Sequence, residues 1–216
     1  MQDHRGETRN TIVERLSRAQ LSPQGHAVRK AILTAFAAGG QAPSVQDVAH
    51  ALGLPFTSVL KACRTLAAAD VIVWQDDTTR IMSAYPFSGI PTAHQVLLRE
   101  ETPCYAMCAI DALGIPCMLG QAVSIRSTCF FCHTPVTVDI KGGLLHRAYP
   151  STLVVWLSAR EDGGCVAEAR CPLMNFFCDE RHLHAWHATC PQESGTSVSV
   201  VEALEVGKAA FGALLT

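Results

Sequence analysis

The sequence predicts an α+β fold, because segments with helical spacing of apolar residues alternate with short segments of strand character. Helical spacing is found over residues 26–38 and 56–69, and strand-like runs over residues 71–74 and 153–157. The chain has 216 residues, of which 49% are hydrophobic and 17% are charged. Such a chain can bury a proper core. We therefore expect a globular protein with one domain or two small ones.

The first part of the chain, residues 24–83, predicts three helices followed by a hairpin. The first helix ends at Gly39-Gly40, the second lies between an N-cap at Ser44 and a break at Gly53, and the third spans residues 56–69. Residues 71–74 and 80–82 read as two strands joined by a polar turn. Three helices and a hairpin are typical of a winged-helix-like module, preceded here by an N-terminal segment of residues 1–23.

Winged-helix modules usually bind DNA, but this one offers few cations for phosphate contacts. The third helix carries only Lys61 and Arg64, and the whole chain has a net charge of -2. Because phosphate contacts supply most of the non-specific affinity for DNA, we expect a packing role for the module. DNA binding is the alternative. We expect neither a nucleic-acid partner nor attachment to an anionic membrane.

The second part of the chain, residues 84–216, predicts a mixed sheet-and-helix catalytic core. Residues 85–91 contain two prolines and other turn formers, which predicts an extended linker at its start. A proline at the first turn favours a helix over residues 103–113. The other predicted elements are strands over residues 94–99, 122–126, 136–140 and 153–157 and helices over residues 179–188 and 198–214.

Cysteine is unusually frequent in this chain, with ten residues. The first 18 residues carry charges throughout and lack the apolar stretch of a secretory signal, so we expect a cytoplasmic protein with reduced thiols. A disulfide scaffold is the alternative, but a chain of this size does not need one. The cysteines are Cys63, Cys104, Cys108, Cys117, Cys129, Cys132, Cys165, Cys171, Cys178 and Cys190.

Three of the candidate functional residues lie close together in sequence. On the predicted helix over residues 103–113, Cys104, Cys108 and Asp111 stand at i, i+4 and i+7 and share one face. A thiol and a carboxyl group one turn apart can exchange a proton. Because the helix is otherwise apolar, burial should raise the pKa of Asp111. The spacing alone is equally compatible with a structural aspartate and with ordinary buried cysteines.

The surroundings of these residues carry a resemblance to a known family. The string YAMCAIDALGIP at residues 105–116 closely resembles the central motif of the alkylmercury (organomercurial) lyase family, MerB. The string CPLMNFF at residues 171–177 is similar to its second cysteine segment, and residues 85–92 and 201–207 are similar to its linker and C-terminal helix. The resemblance covers residues 25–215, and the family has a winged-helix-like module followed by a mixed core.

The resemblance implies residue roles and a reaction. Cys108 and Cys171 correspond to the two catalytic cysteines, Asp111 to the proton-handling aspartate, and Cys129 to a structural cysteine. The implied reaction is protonolysis of a carbon–mercury bond, which gives a hydrocarbon and Hg(II). Thiolates are the softest protein ligands, and two of them push enough electron density onto mercury to make the carbon basic.

The same hypothesis assigns the proton and the partners. We expect Asp111 to take a proton from Cys108 or Cys171 and to deliver it to the carbon, while Cys108, Cys171 and Asp111 keep the mercury. No cofactor is expected, because mercury enters as substrate and leaves as product. The expected partners are organomercurial small molecules, with cellular thiols or a mercuric reductase receiving the metal.

Other residues with metal-binding potential are less specific. Cys129 and Cys132 form a CxxC pair, which is half of a common zinc site. No second pair follows, so we favour an ordinary thiol pair, with zinc completed by His133, Cys165 or Cys178 as the alternative. Three histidines on one predicted helix are expected to be solvated, since their spacing does not align them on one side of that helix; they are His182, His184 and His187.

Two further residues depart from the family pattern. Cys104 could be a bystander or a second acceptor of mercury. Arg170 precedes Cys171, and a cation there should favour its thiolate.

Two other function classes compete with the lyase. A thiol-rich metal-binding or metal-responsive regulatory protein needs soft ligands but no adjacent acid, so Asp111 argues against it. A thiol-dependent hydrolase or redox enzyme using Cys108 would require a histidine base, and no histidine lies near Cys108 in sequence.

Overall fold

A computed structural model describes residues 21–75, 80–98, 102–159 and 170–215. Within these ranges the chain has the expected mixed α+β architecture, with an eight-stranded antiparallel sheet, a three-stranded sheet and six α-helices. The helices are α1 (Pro23–Gly39), α2 (Val45–Leu52), α3 (Phe56–Ala68), α4 (Ala109–Leu119), α5 (Glu180–His187) and α6 (Val200–Phe211). None of the helices among these residues is long and apolar enough to cross a membrane.

The strands are numbered in chain order. They are β1 (Ile72–Gln75), β2 (Arg80–Ala84), β3 (Phe87–Ser88), β4 (His94–Leu98), β5 (Thr102–Ala106), β6 (Val123–Thr128), β7 (Pro135–Lys141), β8 (Leu144–Tyr149), β9 (Val154–Ser158), β10 (Phe176–Phe177) and β11 (Gly195–Ser199). The large sheet has the order β1-β2-β3-β5-β4-β6-β7-β8, and the small sheet has the order β10-β9-β11.

Capping residues mark the start of α2 and the ends of α1 and α2, as predicted. The Ser44 side chain accepts from the Asp47 N–H while the Asp47 carboxylate accepts from the Ser44 N–H, which forms a capping box at the start of α2. Gly40 and Gly53 end α1 and α2 in the left-handed conformation that glycine adopts without strain. The three predicted helices and the β1–β2 hairpin are confirmed.

The expected linker at residues 85–91 instead supplies a strand of the large sheet. Phe87 and Ser88 form β3, which pairs with β2 on one side and β5 on the other. Phe87 is fully buried and its ring stacks on Phe36 of α1, with ring centroids 5.5 Å apart. Because prolines and glycine dominate the composition of this segment, the sequence hid its two buried aromatic residues, Tyr85 and Phe87.

The predicted helix over residues 103–113 is wrong in its first half. Residues up to Ala106 belong to β5, which pairs with β3 and β4, and α4 begins only at Ala109. Cys104, Ala106 and Cys108 are buried while the residues between them are less so, which is the two-residue period of a strand. The alternation was hidden in the sequence, because the less buried positions Tyr105 and Met107 are apolar as well.

The remaining core elements follow the prediction, except that strands β8, β10 and β11 were not predicted. Strand β8 was not predicted, since it is an edge strand whose side chains are mostly exposed and therefore show no apolar alternation. The last helix begins at Val200, because Val198 belongs to β11 and Ser199 forms a capping box with Glu202.

Helix α4 is held in place by close packing against α6. A methyl group built on Gly207 of α6 would lie 2.8 Å from both the Gly114 nitrogen and the Ile110 oxygen of α4. Only a residue without a side chain allows the two backbones to approach so closely. This contact fixes the position of the helix whose first turn carries Cys108 and Asp111.

Candidate active site

Cys108 lies at the N-terminal end of α4 and acts as its N-cap. Its backbone is extended, with φ -151°, and its Sγ accepts a hydrogen bond from the Asp111 N–H at 3.4 Å. The thiol therefore fills the position that serine or aspartate usually takes at a helix start. Asp111 is the third residue of the helix. Cys108 and Asp111 are thus brought together by a cap and the turn that follows, and not by one face of a long helix as the sequence had suggested.

Cys171 reaches the same point from a distant segment of the chain. It begins a short 3-10 turn, Cys171–Leu173, and its Sγ lies 3.7 Å from Asp111 Oδ2. A backbone hydrogen bond of 2.9 Å from the Ala109 N–H to the Met174 oxygen ties this turn to the start of α4. The two thiol sulfurs and a carboxylate oxygen all lie within 4.8 Å of one another. The fold therefore brings all three predicted site residues together.

All three residues are withdrawn from solvent. Cys108 has an exposed fraction of 0%, and Asp111 and Cys171 have 3% each. Burial raises the pKa of Asp111 to about 7, although hydrogen bonds with Cys108 and Cys171 oppose the rise. The start of a helix favours an anion by about 0.3–2 kcal/mol, which is less than the desolvation of a fully buried carboxylate costs. Near neutral pH the carboxyl group therefore exchanges its proton easily.

The two cysteines are neutral thiols before a metal arrives. Burial raises the pKa of Cys108 to about 11. The pKa of Cys171 is raised well above its ordinary value, first by its hydrogen bond with Cys108 and then by burial. The effect of Arg170 on the Cys171 thiolate, which we expect from the sequence, stays a prediction. A buried site with two neutral thiols and a carboxyl group whose pKa is near 7 can bind a soft metal cation by releasing protons.

Sequence reasoning missed a polar network that supports the Cys171 turn. The side-chain amide of Asn175 donates to the Pro172 oxygen at 2.6 Å, and its Oδ1 lies 3.1 Å from His94 Nε2. The Ser127 Oγ lies 3.0 Å from His94 Nδ1. Since the amide oxygen can only accept, the histidine donates through Nε2 and accepts at Nδ1 from the Ser127 hydroxyl.

The ionisation of this histidine agrees with the network. Burial lowers the pKa of His94 to about 4, so the ring is neutral and can use one nitrogen as donor and the other as acceptor. The partners lie on β4, on β6 and in the segment after Cys171. No local sequence pattern predicts such a contact, because the residues meet only when the sheet has formed.

Cys104, which the predicted helix had placed beside Cys108, lies elsewhere. It belongs to β5, and its thiol donates a weak hydrogen bond to the Val96 oxygen at 3.5 Å. It is not part of the group formed by Cys108, Asp111 and Cys171. The expected shared face is therefore wrong, and Cys104 is a buried thiol of the sheet.

A second group of soft ligands lies around the CxxC pair. Cys129, Cys132, Cys178 and His182 place their ligand atoms within 4.8 Å of one another. His182 is half-buried beside thiols, and His187 is half-buried with its Nε2 2.9 Å from the Glu193 backbone oxygen. The expectation of solvated histidines is therefore wrong for these two, while His184 is exposed. His133 is not a member of the group. Cys165 lies outside the described residues.

The comparison with known proteins decides the family. The family model described as MerB, alkylmercury lyase, matches residues 87–212. The chain belongs to the alkylmercury lyase family. This confirms the family and the enzyme class, a carbon–mercury lyase, that the cysteine motifs predicted.

Individual alkylmercury lyases are similar in sequence to this chain over most of its length. The alkylmercury lyase of Bacillus cereus is 28% identical over 171 residues, which cover 79% of this chain and 75% of the relative. That of Staphylococcus epidermidis is 27% identical over 194 residues, covering 88% and 86% of the two chains. A crystal structure of the mercury-bound form of MerB2 is similar in fold, with a TM-score of 0.79, 23% identity and full coverage of both chains.

Proposed function

We propose that this protein cleaves the carbon–mercury bond of organomercurials by protonolysis, with Cys108 and Cys171 binding mercury and Asp111 carrying the proton. The observation that carries the proposal is the convergence of two thiols and one carboxyl group within 4.8 Å at a buried point. The names of the relatives support the substrate class, since they are alkylmercury lyases. The residues and the steps rest on the geometry and on thiol chemistry.

Capture of the substrate exchanges one thiol for another. A cysteine thiol attacks the mercury of an R–Hg–thiolate species, forms a sulfur–mercury bond, and gives its proton to the departing cellular thiolate. The soft sulfur is the ligand that mercury prefers. Because a metal makes its thiol ligand deprotonate, the high pKa of Cys108 does not prevent this exchange.

The second thiol prepares the carbon for protonation. Asp111, whose pKa is about 7, accepts the proton of the remaining cysteine, and the thiolate so formed binds mercury as a third ligand. The distance of 3.7 Å between Cys171 Sγ and Asp111 Oδ2 supports Cys171 as the cysteine that loses this proton. The protonated carboxyl group then lies next to a carbon whose electron density has increased.

Cleavage of the carbon–mercury bond and release of mercury complete the reaction. The carboxyl proton moves to the carbon, the carbon–mercury electron pair becomes the new carbon–hydrogen bond, and the hydrocarbon leaves. Mercury(II) stays bound to two cysteine thiolates beside the Asp111 carboxylate. Two cellular thiols then take the metal and return their protons to the cysteines, which restores the starting site. A mercuric reductase is the natural consumer of the released thiol complex.

Turnover of phenylmercury in excess thiol tests the proposal, with benzene release followed by gas chromatography. Cys108→Ser and Cys171→Ser should each lose turnover, because serine is a hard ligand that does not bind mercury strongly. Asp111→Asn should keep mercurial binding but slow release by about 10²–10⁴-fold, the usual contribution of a positioned acid. Cys117→Ser is the matched control, since this thiol lies further along α4 and outside the site.

The outcome separates the lyase from its main rival. A metal-binding protein without lyase activity would bind phenylmercury through both cysteines, release no benzene, and be indifferent to Asp111→Asn. The position of the carboxyl group between the thiols favours the enzyme. Unchanged benzene release in Cys108→Ser or Cys171→Ser would refute the assignment of these residues.

Our proposals on architecture concern the N-terminal residues 24–83. Their three helices and hairpin support a winged-helix-like module. We assign it a packing role, because its hairpin continues through β3 into the large sheet and Phe36 stacks on Phe87. Function in the cytoplasm, where small thiols are abundant, fits the chemistry of release.

A further inference from the structure

A second group of potential metal ligands lies outside the site just described. Cys129 and Cys132 flank the turn between β6 and β7, Cys178 follows β10, and His182 lies on α5. The four ligand atoms are all within 4.8 Å of one another. The sulfurs of Cys132 and Cys178 are 3.9 Å apart, and the Cys129 sulfur lies 3.6 Å from His182 Nδ1. Three separate segments of the chain therefore place soft ligands around one point.

These distances match the edges of a tetrahedral zinc site. Zinc binds sulfur at about 2.3 Å and imidazole nitrogen at about 2.0–2.1 Å. In a tetrahedron these lengths give sulfur–sulfur edges of about 3.8 Å and sulfur–nitrogen edges of about 3.6 Å. The observed separations of 3.9 and 3.6 Å agree with these values before any metal is added.

The backbone around the ligands is arranged as in a metal-binding turn. The Cys129 sulfur accepts a hydrogen bond of 3.4 Å from the Cys178 N–H, which orients one ligand by the backbone of another. The turn after Cys129 is closed by the His133 N–H donating to the Cys129 oxygen at 2.9 Å. His133 itself has φ 59°, a left-handed conformation that is uncommon for a residue with a side chain.

The fourth ligand is fixed by the start of its helix. The Asp179 carboxylate caps α5 by accepting from the His182 N–H at 3.0 Å, which sets the position of this residue in the first turn. The His182 ring contacts Phe131 of the CxxC turn, with ring centroids 5.5 Å apart. Its Nδ1 is thereby directed at the Cys129 sulfur. The hydrogen bond to Asp179 and the ring contact with Phe131 therefore hold His182 in position.

We propose that Cys129, Cys132, Cys178 and His182 form a structural Zn²⁺ site. Four protein ligands leave no open position, so the site holds the fold and performs no catalysis. With three thiolates and one neutral imidazole bound, the zinc complex has a net charge of -1. A ligand set of three thiolates and one imidazole suits zinc better than a two-coordinate mercury ion. The proposal does not depend on the chemistry assigned to Cys108, Asp111 and Cys171.

The consequence for the enzyme is mechanical. Cys178 lies seven residues after Cys171, at the end of the same segment. The Phe130 N–H of the CxxC turn also donates to the Phe176 oxygen at 2.9 Å. The segment that carries Cys171 and Asn175 ends at Cys178. A zinc ion bound there would therefore link this segment to the turn between β6 and β7 and to α5.

Metal content of the full chain tests the proposal. The protein is produced in zinc-containing medium without mercury and purified with a phosphine reductant and no chelator. Mass spectrometric metal analysis should find about one zinc per chain. Cys132→Ser combined with Cys178→Ser should lower the zinc content at least about tenfold. Cys117→Ser, outside both groups, and Cys171→Ser, in the proposed active site, should keep it.

Cobalt spectroscopy keeps the test decisive if the double variant folds poorly. Zinc-free wild-type protein titrated with Co²⁺ should develop the visible bands of a tetrahedral ion and a thiolate-to-cobalt charge-transfer band, saturating at one equivalent. His182→Cys should retain binding with a spectrum of four thiolates, while His182→Ala should bind more weakly. Lack of both zinc and these bands in the reduced wild type, binding of mercury alone, or full zinc content in the double variant would each overturn the proposal.

Discussion

The replacement Asp111→Asn should stabilise the fold while removing its activity. The Asp111 carboxyl group is buried between two thiols, and burial raises its pKa to about 7. In the unfolded chain the same group has a pKa of about 3.9. Asparagine has nearly the same shape, keeps an oxygen that can accept from the Cys171 thiol, and never becomes charged. The variant therefore removes the cost of holding a charge in this site.

The size of the effect follows from the difference in pKa. Between about pH 4 and pH 7 the folded chain binds the Asp111 proton more tightly than the unfolded chain does, so stability falls as pH rises by about 1.4 kcal/mol per pH unit. The stabilisation from the more tightly bound Asp111 proton is fully present below the pKa of this group in the unfolded chain. It is lost above the pKa of the group in the folded protein. The total loss is about 4 kcal/mol, of which about 2 kcal/mol falls between about pH 5.5 and about pH 8.

Urea unfolding at several pH values measures this difference. The free energy of unfolding of Asp111→Asn minus that of the wild type should increase by about 2 kcal/mol from about pH 5.5 to about pH 8 and then stay level. Asp139→Asn, a carboxylate change on β7 outside the site, is the control and should follow the wild type. A difference that does not change with pH, or one that decreases, would refute the proposed ionisation of Asp111.

The other predictions concern the support of the site and the N-terminal helices. Asn175→Ala leaves the His94 Nε2–H without its acceptor, so it should lower the free energy of unfolding, measured in urea, by about 1–3 kcal/mol. It should also reduce kcat, measured by benzene release. If Asn175 had only a structural role, kcat would not change. Gly207→Ala should cost about 1–3 kcal/mol in thermal unfolding, because the new methyl group meets the α4 backbone at 2.8 Å. Gly39→Ala, where the methyl meets nothing within 4 Å, is its control and should not destabilise. Ser44→Ala removes the α2 cap and should cost about 1 kcal/mol, and equal urea midpoints for wild type and variant would contradict the cap's contribution.

The predictable parts of the fold were those with a strong local signal. The ends of α1 and α2 follow from Gly40, Ser44 and Gly53, which determine backbone conformation or satisfy helix-end groups by themselves. The segment from Pro103 to Ala106 was misassigned, because its apolar residues fit a helix period and a strand period equally well. Only pairing with β3 and β4, which lie elsewhere in the sequence, decides for the strand.

The candidate site shows the same division between local and distant contributions. The pair Cys108 and Asp111 could be selected from one motif, and Cys171 from a second motif that resembles the family. That their atoms meet within 4.8 Å depends on the fold, as do the contacts of His94 with Asn175. For the second group, Cys178 was named as one possible partner of the CxxC pair, but His182 was missed, because it is far in sequence from that pair.

The position of β3 has a consequence for how the chain can be divided. Residues 87–212 match the family, yet Phe87 and Ser88 at their beginning pair on one side with β2 of the preceding region. A fragment starting there would present an unpaired strand edge and leave the Phe87 ring without Phe36. The N-terminal region is therefore not an interchangeable attachment. Exchange of this region between relatives should succeed only when Phe87 and Ser88, which pack and pair against it, are exchanged with it.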